Sequence, residues 1–253
     1  MNITILGSGT SHGIPVVGCT CGVCRSSDPH NKRTRSSILI QDSDSNILID
    51  TATEFRLQAV REGISSLDAI FYTHSHADHL HGLDDIRPLT HKKPVNIYAS
   101  TDDCDEIKNR FPYIFNQTVQ KGGGKPNVIL NKIDEAKITI NKITIEAIEV
   151  KHGLINIYGY RINENAAYIT DCSYISDESI KRLKGIKILI LGALRYREHA
   201  THYNIEQAID IIKKISPERA YLTHLSHDVD HDKLSAELPG GISPAFDGMK
   251  IAY

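Results

Sequence analysis

Four side chains of the kinds that bind divalent metals fall within six positions of "YTHSHADHLHG": His74, His76, Asp78 and His79. Imidazole and carboxylate together suit zinc, manganese or iron. The preceding "LDAIFYTH" reads as an apolar strand, so the four sit on a strand-to-helix turn. On such a turn, residues two apart can point into one cavity. Asp78 and His79 can then face two different ions as the helix begins. The bland alternative, a polar loop that happens to be histidine-rich, does not account for four metal-type ligands at the edge of an apolar strand.

A second concentration of ligands lies near the N-terminus. "GCTCGVCRSSD", Gly18 to Asp28, holds Cys19, Cys21 and Cys24, three of the five cysteines. The opening "MNITILGSGTSHG" has no basic region followed by an apolar run, so no secretory signal is read. No window approaches the roughly 20 apolar residues of a membrane span. A cytoplasmic chain that does not engage a membrane is the expectation. In a reducing compartment, clustered cysteines are metal ligands or catalysts rather than disulfides, and a Cys19–Cys21 bridge would be badly strained. A closed Cys3His zinc site needs one histidine. His227 in "LTHLSHD", three residues after His224, is the candidate. The alternative is free thiols in a polar loop. Cys104 and Cys172 sit alone and read as buried reduced thiols.

The chain has 253 residues, a formal net charge of −2 and 13 histidines. That length allows a sizeable core. The balanced charge gives no basic stripe, which disfavours a nucleic-acid surface without excluding it. A homodimer is compatible with the sequence.

These residues need elements to hold them. "NITIL" reads as a buried strand; "SSILIQ" and "NILID" flank "DSDS" as a hairpin. "TATEFRLQAVREG" reads as a helix, with Thr51 as N-cap, Glu54 three residues on and Gly63 as stop. "VNIYAS" is a strand and "TDDCDEIKNRF" a helix. "AKITINKITIEAIEV" gives two strands, and "NIYGYRIN" with "AAYITD" another hairpin. "SDESIKRLKG", "IKILILGA", "NIEQAIDIIKKIS" and "ERAYLTH" alternate helix and strand, followed by a short helix and an end strand "MKIAY". Ile205, Ala208, Ile209, Ile212 and Ile215 share one face of a helix capped by Asn204 and Gln207. No internal repeat is visible. The break "KGGGKPN", Lys121 to Asn127, is too short to separate domains, so one domain over 1–253 is expected. Two sheets packed together with helices outside is the α/β arrangement this order suggests.

H-x-H-x-D-H followed by a glycine resembles the signature of the metallo-β-lactamase superfamily. Its remaining motifs are matched in order: His152 after "TIEAIEV", Asp171 ending "AAYITD" and His224 ending "ERAYLTH". The resemblance covers nearly the whole chain. It implies an αββα four-layer sandwich, two mixed sheets face to face with helices outside. It also implies two divalent ions, zinc, manganese or iron. His74, His76 and His152 would hold one, Asp78, His79 and His224 the other, and Asp171 would bridge them. Cys172 is a rival to Asp171, but adjacent strand residues face opposite ways, and Asp171 is preferred. "GSGTSHGIPVVGCTCGVC", "SHADHLHGLDDIRP" and "LTHLSHD" further resemble the phosphoribosyl cyclic phosphodiesterases of phosphonate breakdown and a wider set of related hydrolases. That branch implies a structural zinc on Cys19, Cys21, Cys24 and His227.

Two such ions can lower the pKa of a shared water to about 7, and both offset charge on a phosphoryl group. An alkoxide leaving group benefits from an acid. "HATHYN" supplies His199 and His202, and His202 sits where the branch and the transfer-RNA 3′ endonucleases place a histidine near the scissile phosphate. His202 and Asp78 are the catalytic candidates; a capping or packing role for His202 stays open. Arg33 and Arg35 read as a solvated basic turn, and Asp84, Asp85 and Arg87 as rim. His12, His81 and His199 are left between site contact and ordinary polar roles; His30, His91 and His231 read as surface. "GSGTSHG" fails the dinucleotide pattern, since His12 stands where a third glycine belongs.

The function expected is hydrolysis of a small phosphodiester, cyclic or nucleotide-like. The alternatives are an endonuclease acting on transfer-RNA 3′ ends, a thioester or β-lactam hydrolase, and a non-enzymatic zinc module.

Overall fold

The computed structural model describes residues 1–116, 124–134 and 137–252. Of the break expected at Lys121 to Asn127, residues 121–123 lie outside the described residues.

In chain order the strands and helices are β1 (Asn2–Gly7), α1 (Gly22–Arg25), β2 (Ser37–Gln41), β3 (Asn46–Ile49), α2 (Phe55–Glu62), β4 (Ala69–Phe71), α3 (Ala77–Leu80), β5 (Val95–Ala99), α4 (Thr101–Arg110), α5 (Pro112–Phe115) and β6 (Val128–Lys132). They continue as β7 (Lys137–Ile140), β8 (Ile143–His152), β9 (Ile155–Ile162), β10 (Ala166–Ile169), α6 (Asp177–Leu183), β11 (Ile188–Gly192), α7 (Ile205–Ile215), β12 (Arg219–Thr223), α8 (His231–Glu237), β13 (Ile242–Pro244) and β14 (Lys250–Ala252). They form two mixed seven-stranded sheets, β14-β1-β2-β3-β4-β5-β6 and β13-β12-β11-β10-β9-β8-β7. This is the αββα sandwich.

Alternation along the strands builds the layers. Ile38, Ile40, Ile47 and Ile49 enter the core between the sheets, where they meet Ile145, Tyr160, Tyr168, Ile188 and Ile190. Leu39 and Leu48, one position away, turn outward to Phe55, Leu80 and Leu83. On the other sheet, Leu189 and Leu191 turn outward to Leu183, Ala208 and Ile212. Strands buried on both faces carry isoleucine to one side and leucine to the other, as a period of two requires.

A repeat that the sequence hides is plain in the topology. In each sheet three antiparallel pairings are followed by three parallel ones, through β14-β1-β2-β3 then β4-β5-β6, and through β7-β8-β9-β10 then β11-β12-β13. β3 and β10 are therefore equivalent. Each is followed by an aspartate in the left-handed region, Asp50 at φ 63° and Asp171 at φ 51°.

Local expectations need correction at several points. α2 begins at Phe55, with no side-chain cap on its N-cap Glu54. Thr51 is fully buried instead, with its hydroxyl against Tyr72 Oη at 2.7 Å and its N–H donating to His79 O at 2.8 Å. Tertiary contacts thus take the side chain that would have capped the helix. α7 has the expected capping box of Asn204 and Gln207, but its buried face uses Ile211, with Ile209 only half-buried. β6 and β13 were not legible as strands.

Arg33 is not a solvated residue. It is 1% exposed, and its guanidinium donates to Ser226 O, Val229 O and Asn31 Oδ1. Arg35 pairs with Glu54 and donates to Ser11 O. His231 is buried rather than on the surface, its ring 4.5 Å from that of His30 and 5.8 Å from that of Phe246. Gly7 in "GSG" serves packing, because a Cβ there would lie 1.9 Å from Arg35 O. No helix among the described residues is long and apolar enough to cross a membrane.

Candidate metal centre

The ligand-type side chains gather at one edge of the sandwich. His152 is the last residue of β8, and His74, Asp171 and His224 lie just beyond β4, β10 and β12. The loop after β4 turns at His76, the extended N-cap of α3, so that Asp78 and His79 enter a new direction within its first turn. Tyr158 N donates to Thr73 O at 3.0 Å, which ties this loop to the opposite sheet. His224 also has positive φ, at 59°. Asp and His tolerate that region better than most residues, and such conformations concentrate at functional sites.

The structure brings all seven expected residues together. Ligand atoms of His74, His76 and His152 lie within 4.8 Å of one another, as do those of Asp78, His79, Asp171 and His224. A third such grouping joins His152, Asp171 and His202. Asp171 therefore stands between the first two sets. Cys172 turns away into the apolar core behind β10, where burial pushes its thiol up to about 12.

Neighbours take one nitrogen of His74, His79 and His152 and leave the other to face inward, whereas His224 has a neighbour at both. Thr73 Oγ1 lies 3.0 Å from His74 Nδ1, and Thr201 O accepts from His152 Nδ1 at 2.8 Å. Asp50 Oδ2 lies 2.7 Å from His79 Nδ1 and accepts from the Thr73 hydroxyl. His224 is flanked by Thr10 Oγ1 at 3.1 Å and Ser36 Oγ at 3.2 Å. Partners of this kind orient metal-binding rings. Asp50, Thr10, Ser36, Thr73 and Thr201 were not singled out from the sequence. Asp50 alone had a signal there, since "NILID" ends as "AAYITD" does.

The electrostatics call for positive charge. His79 Nε2 lies 3.2 Å from Asp78 Oδ2 and 3.4 Å from Asp171 Oδ1. Burial opposes a charge on His79, but Asp171, Asp78 and Asp50 together hold it well above the ordinary histidine range. Burial also opposes ionisation of Asp171, yet His224 and His79 hold it well below the usual carboxylate range. Burial pushes His74 well down, so its ring is neutral and able to donate a lone pair; at His224 the same effect is opposed by Asp171 and Asp78. His74 Nε2, His79 Nε2 and Asp78 Oδ2 are buried without a hydrogen-bond partner. Each such atom costs about 1–3 kcal/mol if left unmet. A divalent cation in each of the two groups would meet all three, so the donor set fits the metals that the sequence implied.

The cysteines converge too. Cys19, Cys21 and Cys24 Sγ lie 3.3, 3.5 and 3.8 Å from His227 Nδ1. Zinc bonds of about 2.3 Å to sulfur and 2.0–2.1 Å to nitrogen at tetrahedral angles place such atoms about 3.6 Å apart. One imidazole nitrogen cannot hydrogen-bond three thiols at once, whereas one ion can bind all four atoms. The Cys21 side chain, bonded by Cys24 N, is held down to about 6 against the effect of its burial.

His202 sits inside the arc, its ring 4.7 Å from that of His152 and 5.0 Å from that of His224. Burial, with His224 adding to it, pushes His202 down to about 3. His12 and His199 line the same cavity as His202. His81 lies outside it, edge-on to Phe111 at 6.1 Å. Asp84 accepts from Tyr113 Oη, and Arg87 donates to Gly124 O.

The family model described as a β-lactamase superfamily domain matches residues 45–225. A crystal structure of a diphosphatase from the PhnP family superposes with a TM-score of 0.92 at 42% identity, covering 100% of this chain and 97% of that one. Zn2+-bound PqqB from Methylobacterium extorquens superposes with a TM-score of 0.81 over 100% of both chains, and at 18% identity it shows the fold alone. An octanoyltransferase of Porphyromonas gingivalis is 42% identical over 257 residues, which are 99% of this chain and 51% of that protein. The chain thus spans about half the length of that relative. It belongs to the metallo-β-lactamase superfamily of hydrolases, in the PhnP branch.

Two measurements follow. Elemental analysis of purified protein should find close to three ions per chain, and Cys21→Ser should lose one ion and lower the unfolding midpoint; unchanged metal content would remove the Cys3His site. In metal-free protein the unfolded chain protonates His202 near 6.5 while the folded chain resists until about 3. Stability should therefore fall as pH drops through that window, and His202→Gln should flatten part of the slope in urea titrations.

Proposed function

We propose that this chain is a dinuclear metallohydrolase that cleaves a P–O bond in a small phosphodiester. The observation that carries the reading is the position of His202. A seven-residue ligand set is shared across the superfamily's chemistries, but a histidine seated between His152 and His224 at 4.7 and 5.0 Å offers a proton donor beside the centre. The 42% identical PhnP-family diphosphatase favours phosphorus over a thioester or β-lactam, and brings the P–O–P bond in as a second bond type.

His74, His76 and His152 would hold one ion and Asp78, His79 and His224 the other, with Asp171 between. Bound there, two divalent ions would supply an activated water and neutralise phosphoryl charge. The protein's own groups do the rest. Thr73, Thr201 and Asp50 fix the ring orientations. His202, neutral in the free protein, takes a proton as the anionic phosphate approaches, because a nearby anion favours the imidazolium. It then passes that proton to the leaving alkoxide. The N-terminus of α7 offers few free donors, because Ile205 N donates to Arg195 O and Gln207 N to Asn204 Oδ1. Cys19, Cys21, Cys24 and His227 would hold a structural zinc. The five reduced cysteines suit the cytoplasm. Transfer-RNA processing is the weaker reading, since a net charge of −2 gives little grip on a long polyanion.

A panel assay of metal-reconstituted protein tests this. Bis-p-nitrophenyl phosphate, cyclic ribose phosphates, a dinucleoside diphosphate, precursor transfer RNA, a thioester and a β-lactam would be compared. Turnover of the small phosphorus esters is expected; turnover of the thioester or β-lactam alone would overturn the reading. His202→Ala should lower kcat by about 10²–10⁴ on alkyl esters, less on p-nitrophenyl esters, with metal content intact. A wild-type rate on the alkyl esters would remove the proton-donor role.

A further inference from the structure

His76 differs from the other rings of the centre in how it is held. The rings of His74, His79, His152 and His224 each have a neighbour within hydrogen-bond distance, at Thr73, Asp50, Thr201 and Thr10 respectively. The His76 ring has no such partner among the described residues. Of the seven residues in the two groups at the sheet edge, it alone is exposed. Its direction must therefore come from its backbone, which is extended at the N-cap of α3.

That backbone is gripped from outside the centre. Between the two histidines, Ser75 O accepts from Arg110 Nη1 at 2.7 Å. This carbonyl belongs to the planar peptide that leads into His76, so holding it holds the plane from which His76 departs. Arg110 is braced in turn. Its Nε and Nη2 donate to Glu106 Oε2 at 3.1 and 3.0 Å, one turn back on α4. A guanidinium is rigid and planar, so two occupied nitrogens set the direction of the third. An exposed pair of this kind adds little stability by itself; its consequence here is the aim of Nη1. The helix behind it is firmly placed. Ser100 Oγ accepts from Asp103 N at 3.1 Å as the N-cap, and Cys104 and Ile107 are buried in the core outside β5. Burial pushes the Asp103 carboxyl up, opposed by hydrogen bonds from Ser100 and from the side chain and backbone of Ser75. Two side chains of α4 thus meet at the one residue that separates His74 from His76.

We propose that Arg110 is a positioning residue for His76, holding the Ser75 peptide so that His76 meets the same ion as His74 and His152. This rests on the two-ion reading of the centre and is independent of which ester is cleaved. Arg110 acts through the backbone of its neighbour and touches neither ion nor substrate.

Titration with chelator-buffered zinc tests it. Arg110→Met keeps an apolar stem and removes the donors. It should weaken one of the three ions by roughly 10- to 100-fold, the range for an outer partner of a metal ligand, while the unfolding midpoint of the metal-free protein stays near wild type. Anomalous maps from crystals equilibrated at one intermediate zinc concentration should show the depleted ion at His74, His76 and His152, with the peak at Cys19, Cys21, Cys24 and His227 unchanged. Arg110→Lys, which keeps a donor, should recover part of the loss. Lys108→Ala, on the same helix and paired with Asp105 at 3.5 Å, should bind zinc as wild type does. Equal affinities in wild type and Arg110→Met, a uniform loss at all three sites, or a loss that Arg110→Lys does not lessen would overturn the positioning role and leave the centre standing. A wild type that takes up no pair of ions at the sheet edge would overturn the two-ion reading, and the positioning role with it.

Discussion

Three buried carboxylates press on one imidazole. Asp50, Asp78 and Asp171 all lie within 3.4 Å of His79, and none is more than 8% exposed. Negative charge so concentrated in a low-dielectric setting is unfavourable unless cations share it. One protonated histidine offsets part of it; a pair of divalent ions offsets the whole. The strand ends, the left-handed residues and the hydroxyls around the rings all serve to hold this arrangement against its own repulsion.

The duplicated topology explains how two of the three carboxylates arrive. Asp50 and Asp171 follow equivalent strands in equivalent backbone conformations, and they approach His79 from opposite sides, at Nδ1 and Nε2. One remains an orienting group, and the other lies among the ligand atoms. The loop after β12 carries a second coupling. His224 lies in the group with Asp78, His79 and Asp171, and His227 among the cysteines. Between and beside them, Ser226 O and Val229 O are fastened by the buried Arg33. The Cys3His group and the centre thus share one short loop.

Much of this was legible in the sequence because the signals were local or ordered. H-x-H-x-D-H, the cysteine triplet and the strand-terminal His152, Asp171 and His224 stand out by residue type and position. Short apolar runs bounded by polar turns made most strands legible. What stayed hidden depends on distant neighbours. Thr51 had the pattern of a helix cap, yet Tyr72 and His79 claim it. Arg33 and His231 had surface compositions around them, but the fold brings Ser226, Val229 and Phe246 over them. Thr10, Ser36 and Thr201 are ordinary hydroxyl residues until the chain folds. The internal repeat survives in strand order and not in residues.

Seven side chains converge at the sheet edge, where two cations would bind. Anomalous diffraction from a crystal of metal-loaded protein, collected at the absorption edge of the metal, measures this directly. Two peaks about 3.5–4 Å apart, with Asp171 between them and His202 beside them, are expected, together with a third among Cys19, Cys21, Cys24 and His227. A map with no paired peaks at the sheet edge, or with the carboxylates dispersed around an ion-free site after soaking in divalent salts, would contradict it.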